Sequence, residues 1–421
     1  MDNRSPYLAT VKRVVRFGRS QVRNFGKMAQ RQPLTLHPLG STTLDEDDVL
    51  IARQWLRKRS DWTGTQLTAQ YEGAFARWNG SRHAFAFMSG RESLSACIYA
   101  LDLKAGDEVL VPAYTCVVVP NAFAYAGVNP VYCDIELDTY SLDAEEVERR
   151  ITPKVRAILL QHLYGLVSRD YEKIIGVARR HNLAVIEDCA HATGAEHLGV
   201  RVGNLGDIAF YSSEQSKIFN TVVGGLATTN DGSLAMRLAE YRDGSSLPDE
   251  RWIGVQLRNT ILNYYRFKHP QRWWRYELAQ VTLGIDPFIS TTSEEECGIK
   301  PSYYRRSMAD PIAALGLCQL KKIDSYNERR RETAQMWDRW CDERGYRKPL
   351  VAPGSIPVFL RYPVLVEPEK KRDRSWAVRE LGVELGVWFI SKTHPASRDI
   401  GSYPNADRAV AQCINFPGVL V

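Results

Sequence analysis

Residues 183–217 read LAVIEDCAHATGAEHLGVRVGNLGDIAFYSSEQSK. The apolar run Leu183 to Ile186 ends in two carboxylates, Glu187 and Asp188. Glycines at Gly194, Gly199, Gly203 and Gly206 punctuate the connection that follows. A second apolar run, Ile208 to Tyr211, closes with Ser212 and, five residues later, Lys217. Short apolar runs bounded by turn residues read as buried strands. The stretch predicts two neighbouring strands with an acid at the carboxyl end of one and a lysine just past the other. Open α/β sheets bind ligands beyond the carboxyl ends of their strands, so Asp188, His191 and Lys217 are the first candidates for a site.

On either side of this stretch the pattern repeats. His83 to Met88, Glu108 to Pro112, Pro130 to Ile135 and Val155 to Gln161 read as strands. Leu94 to Leu101, Val117 to Ala126, Asp143 to Ile151 and Tyr171 to His181 read as helices between them. Strand and helix alternating at short spacing is the sign of a mainly parallel sheet covered on both faces. Ser89-Gly90-Arg91-Glu92-Ser93 lies between a strand and a helix start. Free N–H groups and the helix dipole converge on an anion at such a turn.

Upstream, Asp45 to Arg59 and Leu67 to Trp78 carry helical spacing. Downstream, Gly224 to Thr229 reads as a short strand pair. Residues 241–308 are rich in Arg, Trp and Tyr and show no clear period, the mark of an insert, lid or interface. Ala309 to Arg344 reads as a connecting helix. The remainder reads as a smaller α/β unit with strands Val358 to Val366 and Val387 to Ile390 and helices Arg374 to Leu385 and Ala406 to Gln412. The expected division is a basic extension over 1–40, a large domain over 41–240, the insert over 241–308, and a connecting helix with a small domain over 309–421.

With 421 residues, 44% hydrophobic and 25% charged, the chain has the composition of an ordinary two-domain globular protein. A net charge of +6 is too modest to predict nucleic-acid binding and suits an anionic small substrate. Eight scattered cysteines without a C-x-x-C pair predict reduced thiols, a cytoplasmic setting and no metal site. No apolar run reaches the roughly 18 residues of a membrane span. The N-terminus carries Lys12, Arg13, Arg16, Arg19, Arg23 and Lys27. It reads as a solvated or docked extension, or as a basic amphipathic segment touching a membrane surface.

Assembled in order, these positions resemble the DegT/StrS-type sugar aminotransferases, pyridoxal-phosphate (PLP) enzymes with the aspartate-aminotransferase (type I) fold. The resemblance spans residues 42 to 418. It rests on Ser89-Gly90-x-x-x-Leu94, Asp134 with Asp138-Thr139, His162-Leu163-Tyr164-Gly165, Glu187-Asp188-x-x-His191-x-x-Gly194-Ala195, Gly203-x-x-Gly206-Asp207, Ser212-x-x-x-x-Lys217, Gly224-Gly225 and Ala313-Ala314-Leu315-Gly316-x-x-Gln319-Leu320. It implies a large domain built on a mainly parallel, seven-stranded type of sheet and a smaller C-terminal α/β domain.

By the same resemblance, Lys217 is the Schiff-base lysine and Asp188 the carboxylate facing the pyridine nitrogen. His191 lies near the cofactor's phenolic oxygen. Gly90, Arg91 and Glu92 would meet the phosphate through backbone N–H groups, and Ser212 through its hydroxyl. The sequence departs from its relatives at Arg91, where they carry Thr, and at Cys116, where they carry an aromatic residue that stacks on the ring. Tyr114 is one candidate to cover the ring instead. Relatives take a phosphate ligand from the neighbouring subunit near Tyr304 to Ser307, so Arg305 or Arg306 would act across a homodimer interface. His162, Tyr164 and His394 are placed where relatives hold substrate.

The implied reaction moves an amino group from an amino acid, glutamate by expectation, to a keto sugar, nucleotide-linked by expectation, in polysaccharide or secondary-metabolite synthesis. A cyclitol or other ketone acceptor is the alternative. Sugar dehydration is disfavoured by Lys217, which relatives running it replace with histidine. A non-catalytic sensor or scaffold is disfavoured by the intact pair Lys217 and Asp188.

Overall fold

The computed structural model describes residues 6–30, 43–58, 62–269, 272–286 and 288–420. The Pro33 to Gly40 stretch and the expected boundary near residue 40 lie outside them. Seven strands form the main sheet: β1 His83–Phe87, β2 Glu108–Pro112, β3 Asn129–Cys133, β4 Val155–Gln161, β5 Ala184–Asp188, β6 Ile208–Ser212 and β7 Gly225–Thr229. Their spatial order is β1-β7-β6-β5-β4-β2-β3. From β6 to β3 every junction is parallel, and β7 runs antiparallel to both β6 and β1.

Both faces of this sheet are covered, which is why its strands read as unbroken apolar runs. Alternate residues separate into two cores. Val109, Leu159, Ile186, Ile208 and Phe210 face one, while Leu110, Ile158, Leu160, Val185 and Tyr211 face the other. The parallel register sets Asp188 beside Gln161 on one side and Phe210 on the other. Phe87 pairs with Gly225, and Gly225 with Ser212. The carboxyl ends of β1, β4, β5 and β6 therefore share one edge.

The strand pair expected at Gly224 to Thr229 is a single strand, β7. Lys217 to Gly224 is shorter than the dozen or more residues a parallel crossover needs, so the chain turns back antiparallel. Residues 241–308 are not aperiodic coil. They contain the helices Glu250–Lys268 and Trp273–Thr282 and the short turn Ser293–Glu296. Asp249 caps the first, accepting from the Trp252 N–H at 3.2 Å. Its inward face includes Gln256, Asn259 and Thr260 beside Ile253 and Leu257. Buried polar groups hide the apolar period there. The expected connecting helix is two, Asp310–Leu320 and Ile323–Arg344, broken at Lys321-Lys322.

The small C-terminal unit pairs Arg361–Leu365 antiparallel with Cys413–Pro417, beneath helices Ser375–Leu381 and Pro404–Gln412. Trp337 of the long helix stacks on Phe416, with ring centres 4.3 Å apart. The strand expected at Val387 to Ile390 does not form. The Trp388 N–H goes to Asn415 Oδ1 at 2.8 Å and the Phe389 N–H to the Tyr114 hydroxyl at 2.7 Å, which removes both from any ladder. Instead Thr393–His394 pairs in parallel with Thr115–Cys116 and ties the small unit to the sheet edge.

The N-terminal extension carries a 24-residue helix, Pro6–Ala29. It rests on the helix Trp273–Thr282, held by Arg13 to Asp286 at 2.9 Å and Gln21 to Glu277 at 3.1 Å. Among the described residues no helix is long and apolar enough to cross a membrane.

Candidate active site

A cavity of about 780 Å³ opens at the carboxyl edge of the sheet. Gly90, Arg91, Glu92, Cys116, Asp188, His191, Ser212, Lys217 and Arg305 all line it.

Its floor is the β1 turn. Ser89 caps the helix Gly90–Ala100, accepting from the Glu92 N–H at 3.2 Å, while the Ser89 hydroxyl donates to Glu92 Oε2 at 2.8 Å. The first N–H groups of a helix have no intrahelical acceptor. With the Glu92 N–H taken by the cap, those of Gly90 and Arg91 remain to meet a ligand. A Cβ on Gly90 would fall 2.9 Å from Ser212 Cβ, so glycine keeps the turn and the Ser212 hydroxyl in one narrow cradle. The Arg91 side chain does not turn into this cradle. It bonds the buried Glu295 and the Ser290 carbonyl, fastening the 290–295 segment over the site. Arg306 Nε donates to Glu92 Oε1 at 2.9 Å.

Above the cradle, Asp188, His191 and Lys217 converge. The Tyr164 N–H donates to His191 Nδ1 at 3.3 Å, and His191 Nε2 lies 2.9 Å from Lys217 Nζ. An accepting Nδ1 places the ring proton on Nε2. Nε2–H then faces Lys217 Nζ, which can accept it once the amine has lost its proton. Burial lowers the Lys217 pKa from its ordinary value, and the Arg361 guanidinium adds to the effect. Burial, then Lys217 and Arg361, push His191 well below the ordinary histidine range. Burial lifts Asp188 to about 6, against the Ala190 N–H, which donates to Oδ1 at 3.0 Å, and the charge of Lys217.

Glu187 faces the other way and builds the connection. It accepts from His162 Nε2 at 3.2 Å, from the Tyr171 hydroxyl, and from the N–H groups of Gly203, Leu205 and Gly206 at 2.7, 3.0 and 2.6 Å. Burial opposes its charge, but these donors hold its pKa below the ordinary value. Replacing Glu187 with Ala strands several buried donors. The expected loss is about 3–5 kcal/mol of stability, read as a lowered denaturation midpoint.

Several candidates spend their side chains on other partners, although His162 and Arg305 also line the cavity. His162 is fully buried, its Nε2 on Glu187 and its Nδ1 accepting the Ser168 N–H at 3.3 Å. Tyr114 and Tyr164 are fully buried behind the wall. Their hydroxyls lie 3.0 Å apart and both bond the Trp388 carbonyl. Tyr114 therefore does not cover the cofactor face. His394 pairs with Cys116 through backbone and stacks on Phe389 at 5.2 Å. Burial, with Lys371 and Lys217, lowers its pKa to about 4. Arg305 lies over its own chain's Tyr241, 4.3 Å from the ring centre, and donates to the Tyr241 carbonyl at 3.2 Å.

Other residues at the site were not among those the sequence singled out. Trp388 stacks on His191 with ring centres 5.0 Å apart, and Arg361 lies on Trp388 at 4.3 Å. Together they fix the imidazole that meets Lys217. Phe389 reaches the cavity beside Cys116. Arg251 and Trp252 line the mouth from the helix Glu250–Lys268, with Arg306 packed between the rings of Trp252 and Tyr303 at 4.5 and 4.8 Å. The signal for that helix was Pro248-Asp249-Glu250, a capping start.

The sheet order, its reversed strand β7 and the small C-terminal unit define the type I fold of PLP-dependent aminotransferases. The family model described as the DegT/DnrJ/EryC1/StrS aminotransferase family matches residues 43–265 and 282–419, and the chain belongs to that family. It is accordingly an enzyme, a PLP-dependent transaminase of the sugar aminotransferase group. It is 31% identical over 332 residues to GDP-perosamine synthase of Caulobacter vibrioides, covering 78% of this chain and 77% of that one. It is 31% identical over 383 residues to L-glutamine:2-deoxy-scyllo-inosose aminotransferase of Micromonospora echinospora, covering 89% and 80%. NtdA from Bacillus subtilis, solved with bound pyridoxamine phosphate (PMP), superposes with a TM-score of 0.69 at 21% identity, covering 92% of this chain and 81% of that one.

Proposed function

We propose that the enzyme transfers an amino group from an amino acid to the ketone of a nucleotide-linked sugar, with Lys217 as the proton-carrying amine. The observation that carries this reading is the half-buried Lys217 Nζ lying 2.9 Å from His191 Nε2 in a cavity that extends out to Arg251 and Trp252.

The residues present suit the cofactor. Its phosphate would be held by the N–H groups of Gly90 and Arg91 and the Ser212 hydroxyl, in the cradle that a Gly90 Cβ would fill. Asp188 would hold the pyridine nitrogen's proton. When bound, the ring supplies an electron sink for the bonding pair left at the substrate carbon. Burial lowers the Lys217 pKa, which eases loss of its proton and lets the amine take and return a proton at that carbon. His191 orients the amine, and Trp388 holds His191 flat. Since Cys116 offers no ring, we assign the cofactor's exposed face to Phe389.

Three features favour a nucleotide-linked acceptor. The cavity is within the range of about 300–1,000 Å³ that encloses sizeable ligands. Arg251 at its mouth makes no ion pair among the described residues and is free to meet a diphosphate. Trp252 and Tyr303 line the cavity with it and hold Arg306 between their rings. A cyclitol ketone is the second reading, favoured by the 89% coverage in the inosose aminotransferase match. All eight cysteines are free thiols, which supports a cytoplasmic setting. A homodimer with its sites at the interface is part of the same reading.

The deciding experiment loads the protein with pyridoxamine phosphate and adds ketones singly. Nucleotide-linked keto sugars should restore the pyridoxal absorbance, and Arg251→Ala should raise their KM about tenfold or more with kcat little changed. Restoration by free inosose alone would replace the nucleotide-sugar reading with the cyclitol one.

A further inference from the structure

The helix Pro6–Ala29 has an inverted pattern. The face toward the protein is polar. Ser20 and Asn24 are buried there, Ser20 donates to Glu277 Oε1 at 2.5 Å, and Arg13 pairs with Asp286. The face toward solvent is apolar. Val11, Val14, Val15, Val22 and Met28 are exposed, Val22 by 75%. At about 100° per residue, Val11, Val15 and Val22 fall on one line, with Val14 to one side. Lys12, Arg16, Arg19 and Arg23 form the adjoining flank, all exposed. Apolar surface that a folded chain leaves out in a contiguous stripe marks a docking face.

Charge identifies the occupant. The helix carries six Lys and Arg and no Asp or Glu. The whole chain has a net charge of +6, so everything outside the helix is neutral in sum. The net positive charge of the protein is thus gathered on one surface helix, beside its apolar stripe. The helix beneath it adds exposed Trp274 and Leu278. Two copies facing each other through this stripe would bring two cationic flanks together with no carboxylate on either helix, an arrangement that charge disfavours.

We propose that this helix seats the enzyme on an anionic lipid bilayer. It lies in the plane of the surface, with the valine stripe in the headgroup boundary and the arginine flank on lipid phosphates. Glu277 and Asp286 tie it to the enzyme body, so the whole molecule is held at the surface.

The test uses the full-length protein with phosphatidylcholine vesicles, and with the same vesicles containing about one third phosphatidylglycerol. The protein should sediment with the anionic vesicles, stay free of the neutral ones, and be released as salt rises. Arg16→Glu with Arg19→Glu and Arg23→Glu, and separately Val15→Glu with Val22→Glu, should each lower the bound fraction about tenfold or more. Both should keep the cofactor absorbance that reports a folded site. Failure of the native protein to bind anionic vesicles overturns the proposal, as does equal binding to neutral vesicles or unchanged binding by the arginine variant. A native protein indifferent to vesicles, whose mass in light scattering halves in the valine variant, would assign the stripe to a second copy instead.

Discussion

Lys217→Met should abolish transamination, lowering kcat by about 10⁴-fold or more, the upper range for a positioned proton-transferring group. The purified variant should also lose the absorbance change that an amino-acid donor produces. Loss of activity alone would not separate a catalytic role from a structural one, but stability does. Burial depresses the Lys217 pKa below 10.5 in the folded protein. The unfolded chain therefore binds a proton there that the folded one does not, between the lowered value and 10.5. In that window stability rises with pH, and below it the lysine opposes folding. Methionine has similar length and no charge to bury. The cofactor-free variant should be at least as stable as the native protein at neutral pH, with the difference shrinking as pH approaches 10.5. A variant that is inactive and also unfolds early would make Lys217 a packing residue. A variant that turns over normally would remove it from the mechanism altogether.

The position of Lys217 was legible because strand ends are. An apolar run that stops at a carboxylate, a connection cut by glycines, and a second run that stops at Ser212 leave little freedom in a parallel sheet, whose register then sets Asp188 beside Phe210. The Gly90 turn was legible for the same reason. What stayed hidden depends on contacts between segments far apart in sequence. Nothing in the run around Trp388 tells that its N–H will be taken by Asn415 rather than by a strand, or that its ring will lie on His191. Arg91 has the look of an anion ligand in sequence, but its partner is Glu295, about two hundred residues away. Tyr114 sits close to the cavity wall in sequence, but the chain bends at Ala113-Tyr114 before the short strand Thr115–Cys116, and the Tyr114 side chain enters the aromatic core while Cys116 lines the cavity. The N-terminal helix fails in the opposite sense. Its buried face is polar and its exposed face apolar, so a reading that equates apolar with inward gives it no place in the fold.

Asp188→Asn should separate function from stability in the reverse direction. In the cofactor-free protein burial lifts the Asp188 carboxyl from 3.8 to about 6. The folded state then holds this proton more tightly than the unfolded chain does. The stability from the neutral carboxyl is full below pH 3.8 and is lost as pH rises through about 6. At pH 7 the native protein carries a buried carboxylate that costs it about 2–3 kcal/mol, because each pH unit between the unfolded and folded pKa values is worth roughly 1.4 kcal/mol. Asparagine has the same shape, can still accept the Ala190 N–H, and has no charge to bury. Without cofactor, the variant should unfold later than the native protein at pH 7, and the two should converge near pH 4. With cofactor the order should reverse. A carboxylate opposite a protonated ring nitrogen is a buried ion pair, and an amide in its place leaves that proton without a partner of opposite charge. Saturating PLP should therefore raise the unfolding temperature of the native protein by several degrees more than that of the variant, by mass action on the folded state. kcat should fall by about 10²–10³-fold, the usual cost of removing one preorganised electrostatic partner. If the apo variant is less stable at pH 7, Asp188 is a structural strand-end acid that holds the Ala190 turn. If it is more stable and PLP protects both proteins equally, the carboxylate is buried at a cost that cofactor binding does not recover, and the ring nitrogen must be held by another group.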